Sequence, residues 1–207
     1  MRVLAIDCAT EACSVALFQD GALLAGDYRM LGRGHAEQLV PMIAALPERG
    51  QAQRIAVALG PGSFTGVRIG LAAARALALA WGSELAGYPT LALVAAMAQA
   101  TAGRQPVSIA MTGGHGEWFL QDFGEDGIPA GPLASLSPDA AAAAARAALV
   151  AGTQADALVL KREHGSAMQL WPDARRLPLL PQTLFSTELS PLYGRPPDAK
   201  LPQETRA

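Results

Sequence analysis

The stretch that most constrains the fold is residues 55–82, which reads IAVALGPGSFTGVRIGLAAARALALAWG. It opens with a short apolar run typical of a buried strand. Turn-forming and helix-capping residues then break the run: Gly60, Pro61, Gly62, Ser63 and Thr65. Either Ser63 or Thr65 can cap a long helix from about Gly66. The stretch therefore predicts a strand, a tight glycine loop and a helix.

The loop could in principle bind an anion, because the first turn of a helix offers unpaired N–H groups and a positive dipole end. It lacks the Lys-Ser/Thr ending of a P-loop, however, and does not fit the Gly-x-Gly-x-x-Gly fingerprint of dinucleotide folds. A well-capped structural turn is therefore the favoured interpretation of the loop by itself.

The predicted helix carries a stripe of small residues spaced three or four apart. They are Gly66, Gly70, Ala73, Ala74 and Ala78. Such a stripe lets another helix approach closely. On the other side Val67, Leu71 and Leu77 can face a sheet. We therefore expect a helix buried twice, once against a sheet and once against another helix.

Composition narrows the choice of function. The 207 residues suit one large domain or two small lobes, and 51 % hydrophobic content suffices for a core. With 16 Lys+Arg against 18 Asp+Glu and no basic run, the chain is a poor candidate for strong direct nucleic-acid binding. No signal-peptide pattern follows Met1, so we expect a cytoplasmic protein without a membrane segment. Cys8 and Cys13 have no second pair nearby, so we expect reduced thiols and no metal site.

The chain opens with three strand-like runs, residues 2–7, 13–18 and 22–30, which predict an antiparallel meander. Asp7 ends the first run and Thr10 lies at the hairpin tip. Such a tip could cradle a phosphate while the carboxylate holds Mg²⁺ through water. An ordinary turn with an Asx-type hydrogen bond is the alternative.

Residues 35–46 (HAEQLVPMIAAL) have apolar side chains at helical spacing and predict a helix, kinked or not at Pro41. His35 lies in its first turn and is given a helix-end hydrogen-bonding role. After the central strand and helix, residues 84–90 return to strand, with Thr90 expected to cap a third helix over residues 91–101. We place a lobe boundary here, between residues 1–102 and 103–207.

The second half repeats the organisation of the first. Residues 107–111 and 117–123 are apolar runs around a small-residue turn, and Thr112 falls where Asp7 stood in the first hairpin. Ser137 is expected to cap an alanine-rich helix. A short strand then leads into Gly152 and Thr153, which precede another helix. This junction of strand and helix could lie against an adenosine, or it could be a simple turn. The similarity of the two lobes suggests that one arose by duplication of the other. The chain is expected to end in an irregular Pro-rich tail.

Five segments carry a family resemblance: LAIDCATEACSVALF, HAEQLVPMI, ALGPGSFTGVRIGLAAARALA, GEWF and PLYGRPPDAK. Together they resemble the TsaB (YeaZ) family of bacterial tRNA threonylcarbamoyladenosine biosynthesis proteins. The GPGSFTGVRIG block is the most specific of them. The resemblance spans nearly the whole chain and weakens between about residues 124 and 176.

The resemblance implies a two-lobed α/β fold of the actin-like (ASKHA, ribonuclease H-like) type, with mixed sheets covered by helices. It also implies a scaffold without catalytic residues, which binds and activates a TsaD-like subunit. In that family TsaD transfers a threonylcarbamoyl group to the adenosine beside the anticodon, and a TsaE-like ATPase is the third component. A homodimer is expected when the chain is alone, and contact with tRNA only through the complex.

The family's dimer surface corresponds to the helices at residues 35–46 and 66–82. The residues expected on it are His35, Leu39, Met42, Ile43, Gly66, Arg68, Gly70, Ala73, Ala74 and Ala78. Weaker candidates for nucleotide binding are Asp7, Thr10, Gly152 and Thr153. No cofactor is required by this chain, although ATP or ADP with Mg could bind in the complex.

Two alternatives are enzymes. An ASKHA-type kinase or ATPase would use the four nucleotide-binding candidates, yet it needs a carboxylate at each phosphate hairpin, and Thr112 replaces one. Family members commonly read Asp-Ala-Arg where this chain has Thr-Gly-Gly at 112–114. A metal-dependent glycoprotease would need a His-x-x-x-His pair, and His35, His115 and His164 are far apart. Both alternatives are therefore disfavoured.

Overall fold

The structure, a computed structural model, describes residues 1–194. The last part of the predicted Pro-rich tail lies outside the described residues. The first of two sheets is formed by β1 (Arg2–Asp7), β2 (Ala12–Gln19), β3 (Ala22–Met30), β4 (Arg54–Ala58) and β5 (Glu84–Tyr88). Its spatial order is β3-β2-β1-β4-β5, with β1 to β3 antiparallel and β4 and β5 parallel to β1. The predicted meander is confirmed.

The second sheet is formed by β6 (Val107–Thr112), β7 (Trp118–Phe123), β8 (Ala134–Leu136), β9 (Leu149–Ala151) and β10 (Ser166–Met168). Its order, β8-β7-β6-β9-β10, reproduces that of the first sheet strand for strand. Again the first three strands form an antiparallel meander and the last two are parallel to the central one. The predicted α/β fold of two similar lobes is confirmed. The exact division at residue 102 stays a prediction.

Within residues 1–194 the α-helices are α1 (His35–Ala44), α2 (Phe64–Trp81), α3 (Thr90–Ala102), α4 (Pro138–Ala144) and α5 (Ala155–Arg162). In each lobe one helix precedes the fourth strand and another precedes the fifth. α2 covers β4 and β1, and α1 lies on β2 beside α2. By length and composition alone α2 could also cross a membrane, but the central helix of a folded domain passes the same test.

The final segment of each lobe packs on the sheet of the other. α3 follows the first sheet in sequence but packs against β6, β7 and β9 of the second. It is buried almost all round, as expected of a helix between two layers. The 3-10 turn Ala174–Leu179 follows the second sheet and packs against β1, β2 and β3 of the first. The core is consequently continuous between the lobes.

The structure corrects the residue that we expected to cap α3. Pro89 is the N-cap residue, and Thr90 is the first helical residue. The Thr90 hydroxyl is fully buried, and within the described part of the chain it has no hydrogen-bond partner. Thr90 therefore starts the helix through its backbone, whose N–H donates to the carbonyl of Gly60 at 2.8 Å.

Candidate functional site

The glycine loop before α2 is held against the tip of the first hairpin. The N–H of Ser63 donates to the carbonyl of Ala9 at 2.7 Å, and the Ser63 hydroxyl accepts from the N–H of Gly66 at 3.2 Å. Ser63 is thus the N-cap, whereas Thr65 lies inside the helix. Gly60 adopts a left-handed φ of 88°, which favours glycine at the point where the chain leaves β4.

Two glycines of the loop are required by close backbone approach. A Cβ atom at Gly62 would collide with the carbonyl of Ala9, and one at Gly66 would collide with the carbonyl of Cys8. Both would lie inside 3.0 Å, a separation that real Cβ atoms essentially never show. The glycines therefore let the start of α2 sit directly on the backbone of the first hairpin.

The small-residue stripe of α2 faces the chain's own sheet, which corrects our expectation. Gly66, Gly70, Ala74 and Ala78 are buried, and a Cβ at Gly70 would contact side chains of β1 and β4. Val67 and Leu71 are also buried, so they share the buried side of α2 with the stripe instead of lying opposite it as we expected, and Leu77 is half-buried. The small side chains allow close packing of helix on sheet, so this stripe is not available to a partner helix. Ala73 is half-buried, and Arg68 is exposed.

The predicted contact residues of α1 need the same correction. Its buried residues are His35, Leu39, Met42 and Ile43. The last three contribute to the core. His35 begins the helix, and its Nε2 lies 3.4 Å from the carbonyl oxygen of Ala12. The predicted helix-end role of His35 is thus supported, while direct contact of these four side chains with a partner is not.

A different, outward face of these two helices is exposed and largely apolar. On α1 it includes Val40, which is 56 % exposed, and on α2 it includes Leu79, which is 88 % exposed. Its other exposed members are Pro41, Ala44, Ala72, Arg75, Ala76 and Ala80. We call this set the α1–α2 outer face. Apart from Arg75 its side chains are small or apolar over several turns, which is typical of a docking surface.

A C-terminal strap, residues 186–194, borders this face. Gly87 and Ser186 exchange backbone hydrogen bonds, and the N–H of Leu192 donates to the carbonyl of Leu59 at 2.8 Å. The guanidinium of Arg75 donates to the carbonyl of Leu189 at 3.0 Å. The strap is therefore attached both to the first sheet and to α2.

The end of the strap forms a small cluster with the first turn of α2. Arg68 donates to the Tyr193 hydroxyl at 3.2 Å and stacks over the ring of Phe64 at 3.4 Å. The rings of Phe64 and Tyr193 are 5.7 Å apart. Of these residues only Arg68 was among the expected contacts. Nothing in the local sequence shows that residues 125 positions apart meet.

A cleft of about 1220 Å³ lies between the two lobes. From the first lobe it is lined by the hairpin tip, including Thr10, and by residues 62–69 of the motif loop and α2. From the second lobe it is lined by residues 112–115 and by Thr153. The strap closes one side through residues 191–194.

Asp7 does not line this cleft. It is 1 % exposed and lies beneath the hairpin tip, where one carboxylate oxygen accepts from the N–H of Ala9 at 3.0 Å. The other accepts from the hydroxyl of Tyr88 at 3.2 Å. Burial raises the pKa of Asp7 to about 7, and these two hydrogen bonds only partly oppose the effect. The carboxyl group is engaged inside the protein rather than offered to a ligand.

The second lobe presents hydroxyl groups where the first has Asp7. The N–H of Thr112 donates to the Thr153 hydroxyl at 2.9 Å, and the amide of Gln154 donates to the Thr112 hydroxyl at 2.8 Å. Gly152 is buried, and a Cβ there would collide with the carbonyl of Ala110. Of the four nucleotide-binding candidates, only Thr10 and Thr153 face the cleft, so the predicted Mg²⁺ held by Asp7 is not supported.

No three His, Cys, Asp or Glu side chains are grouped to hold a metal ion within residues 1–194. Asp7 and Thr112 end equivalent strands, as predicted, yet neither supplies a carboxylate to the cleft. The cleft lining includes hydroxyl groups such as those of Thr10, Thr112 and Thr153, which can hold a polar ligand by hydrogen bonds.

Comparison with known proteins identifies the family. The model described as "TsaD: tRNA N6-adenosine threonylcarbamoyltransferase" matches residues 29–163. The solved structure of YeaZ from Pseudomonas aeruginosa is 31 % identical, with a TM-score of 0.73 over 85 % of this chain and 88 % of that one. This chain belongs to the TsaB (YeaZ) branch of that family. The actin-like fold expected of a TsaB-family chain is thereby confirmed.

Curated relatives support the same family assignment, and each is matched over part of its length. TsaB of Escherichia coli is 39 % identical over 131 residues, which are 61 % of this chain and 56 % of that protein. TsaB of Haemophilus influenzae is 40 % identical over 105 residues, 48 % of this chain and 43 % of that protein. The chain thus matches about half the length of these TsaB proteins.

The TsaD relationship is also visible among individual proteins. The tRNA N6-adenosine threonylcarbamoyltransferase of Anaeromyxobacter dehalogenans is 30 % identical over 138 residues, 55 % of this chain and 41 % of that enzyme. The similarity to the transferase thus extends over about half of this chain.

Proposed function

We propose that this chain is a non-catalytic subunit of the machinery that makes threonylcarbamoyladenosine in tRNA. Its role would be to bind a TsaD-like subunit and make it competent to modify the adenosine beside the anticodon of tRNAs that read codons beginning with A. Membership of the TsaB family supports the pathway. A TsaE-like ATPase is the proposed third component, and tRNA is contacted through the complex only.

The observation that carries the binding role is the α1–α2 outer face. It joins two neighbouring helices into one apolar surface with Val40 and Leu79 exposed at its two sides. Buried small residues fix α2 tightly on the sheet, so the face is rigid and loses little entropy on docking. We propose that the TsaD-like partner, or a second copy of this chain in its absence, covers this face.

The cleft supports the non-catalytic part of the proposal. Asp7 is enclosed with Tyr88, and Thr112 occupies the equivalent position in the second lobe. An ASKHA-type kinase or ATPase would need such carboxylates at the phosphates and their Mg²⁺. The isolated chain is therefore expected to release no phosphate from ATP, and steady release by the purified protein would contradict this part.

The docking proposal is tested with a charge on the outer face. Leu79→Glu adds a carboxylate at a position that is 88 % exposed, so the fold of the free chain should be unaffected, whereas a docked partner would have to bury the charge. We expect association with the cognate TsaD-like subunit, measured by titration calorimetry, to weaken at least about tenfold. Modification of tRNA by the reconstituted components should fall in parallel.

Leu160→Glu is the matched control. Leu160 is 81 % exposed on α5 of the second lobe, away from α1 and α2. The same substitution there should leave both association and tRNA modification unchanged. If Leu79→Glu and Leu160→Glu bind the partner equally well, the α1–α2 outer face is not the docking surface.

A further inference from the structure

Two cysteines lie in contact beneath the first hairpin. β1 and β2 pair in a register that sets Asp7 opposite Ser14, so Cys8 and Cys13 are the next residues across the hairpin. Their Sγ atoms are 3.6 Å apart, and the side chains are 2 % and 0 % exposed. Both are free thiols.

This placement suits a disulfide bond. Opposed residues of antiparallel strands have Cα atoms about 4.5–5.5 Å apart, which falls inside the range of about 4.4–6.8 Å that disulfides span. Closing the bond brings the sulfurs to about 2.05 Å, a movement that side-chain rotation can supply. The backbone that supports the loop at Gly62 and Gly66 need not be rebuilt.

We propose that Cys8 and Cys13 form a reversible redox pair, which hydrogen peroxide closes to a disulfide. The proposal goes beyond the function proposed above and does not depend on it. A disulfide here would cross-link β1 to β2 directly under the hairpin tip that lines the cleft. Residues 9–11 line the cleft, so a small peroxide molecule can reach the two thiols when these residues open locally.

The two thiols have different roles in the reaction. The hydrogen bond between the two sulfurs lowers the pKa of Cys13, and the same bond, with burial, raises the pKa of Cys8. Cys13 is therefore the attacking thiolate. Its sulfur bonds to one peroxide oxygen, the O–O bond breaks, and hydroxide leaves, which gives a sulfenic acid at Cys13.

Cys8 then resolves this intermediate. Hydroxide takes the Cys8 proton and becomes water. The Cys8 sulfur then attacks the Cys13 sulfur and releases a second hydroxide, which becomes water by taking up the proton that Cys13 lost to solvent when its thiolate formed. Peroxide is reduced, the two sulfurs are oxidised together by two electrons, and the product is one disulfide. A dithiol such as dithiothreitol reverses the bond by thiol–disulfide exchange.

The sequence allows a direct test on the full chain. Glu11 lies between the two cysteines, so a glutamate-specific protease separates them into different peptides. The reduced, folded protein is treated with graded hydrogen peroxide, quenched with acid, and denatured in N-ethylmaleimide before digestion and mass spectrometry. We expect the two peptides to appear joined, with two hydrogen atoms fewer than their sum, and dithiothreitol to separate them.

Two variants assign the roles. In Cys8→Ser the sulfenic acid at Cys13 has no resolving thiol, so dimedone should label Cys13. In Cys13→Ser, with Cys13→Ala as a second version should the serine disturb folding, Cys8 should stay open to N-ethylmaleimide. The proposal is overturned if folded wild-type protein keeps both cysteines alkylatable at peroxide levels that oxidise glutathione in the same tube. It is equally overturned if the peptides join only after unfolding in urea.

Discussion

Adding a single methyl group at Gly66 should destabilise the protein. A Cβ there would fall inside 3.0 Å of the Cys8 carbonyl, a backbone atom that cannot rotate away. The start of α2 and the first hairpin must then separate by about 1 Å, and overpacking of this kind costs about 1–3 kcal/mol. Alanine regains little helix propensity in the first turn, so we expect Gly66→Ala to lose about 2 kcal/mol.

The same substitution one turn later should do the opposite. At Gly70 the nearest atom to an added Cβ is 3.6 Å away, an ordinary van der Waals contact. Gly70 lies in the interior of α2, where alanine is favoured over glycine by about 0.5–1 kcal/mol. Gly70→Ala should therefore stabilise the protein, and the two variants should differ by about 3 kcal/mol.

Urea unfolding, followed by the circular dichroism of the α-helices at about 222 nm, measures the unfolding midpoint of both variants on one scale. The midpoint should fall for Gly66→Ala and rise for Gly70→Ala, with the same dependence of unfolding free energy on urea. If both midpoints move in the same direction, close approach to the hairpin is not the reason for the glycine at position 66.

Other predictions concern the cap of α2 and the buried acid. Ser63→Ala should lower stability by about 1 kcal/mol, whereas Thr65→Ala should change it by less than about 0.5 kcal/mol in thermal unfolding. Burial raises the pKa of Asp7 from 3.8 to about 7, so its favourable contribution is complete below about pH 4 and is lost as the pH rises through 7. The free energy of unfolding should therefore decline by up to about 4 kcal/mol between pH 4 and 8 on account of Asp7. Urea unfolding of Asp7→Asn should lack this part of the decline. Tyr88→Phe removes hydrogen bonds to Ile6 and Asp7 and should cost about 1–2 kcal/mol in the same assay.

Much of the fold follows from local sequence. The apolar run, the glycine break and the Ser63 cap give the central strand and α2, and the alternating runs give the meander. Comparing strand ends correctly paired Asp7 with Thr112. These features could be predicted because each depends on residues only a few positions apart.

The orientation of α2 could not be predicted in the same way. A stripe of glycine and alanine permits close approach of a helix or of a sheet, and only the position of the first hairpin decides between them. The surroundings of Asp7 were hidden for a related reason, since Tyr88 is 81 positions away. Likewise Trp171 donates to the carboxylate of Glu11 across 160 positions.

The reciprocal packing of the end segments has a practical consequence for anyone who wishes to dissect this protein. A fragment cut after α3 would lose the turn Ala174–Leu179 that packs on the first sheet, and α3 would lose its contacts with β6, β7 and β9. Each half expressed alone should aggregate, whereas the two halves produced together in one cell should associate into a folded complex.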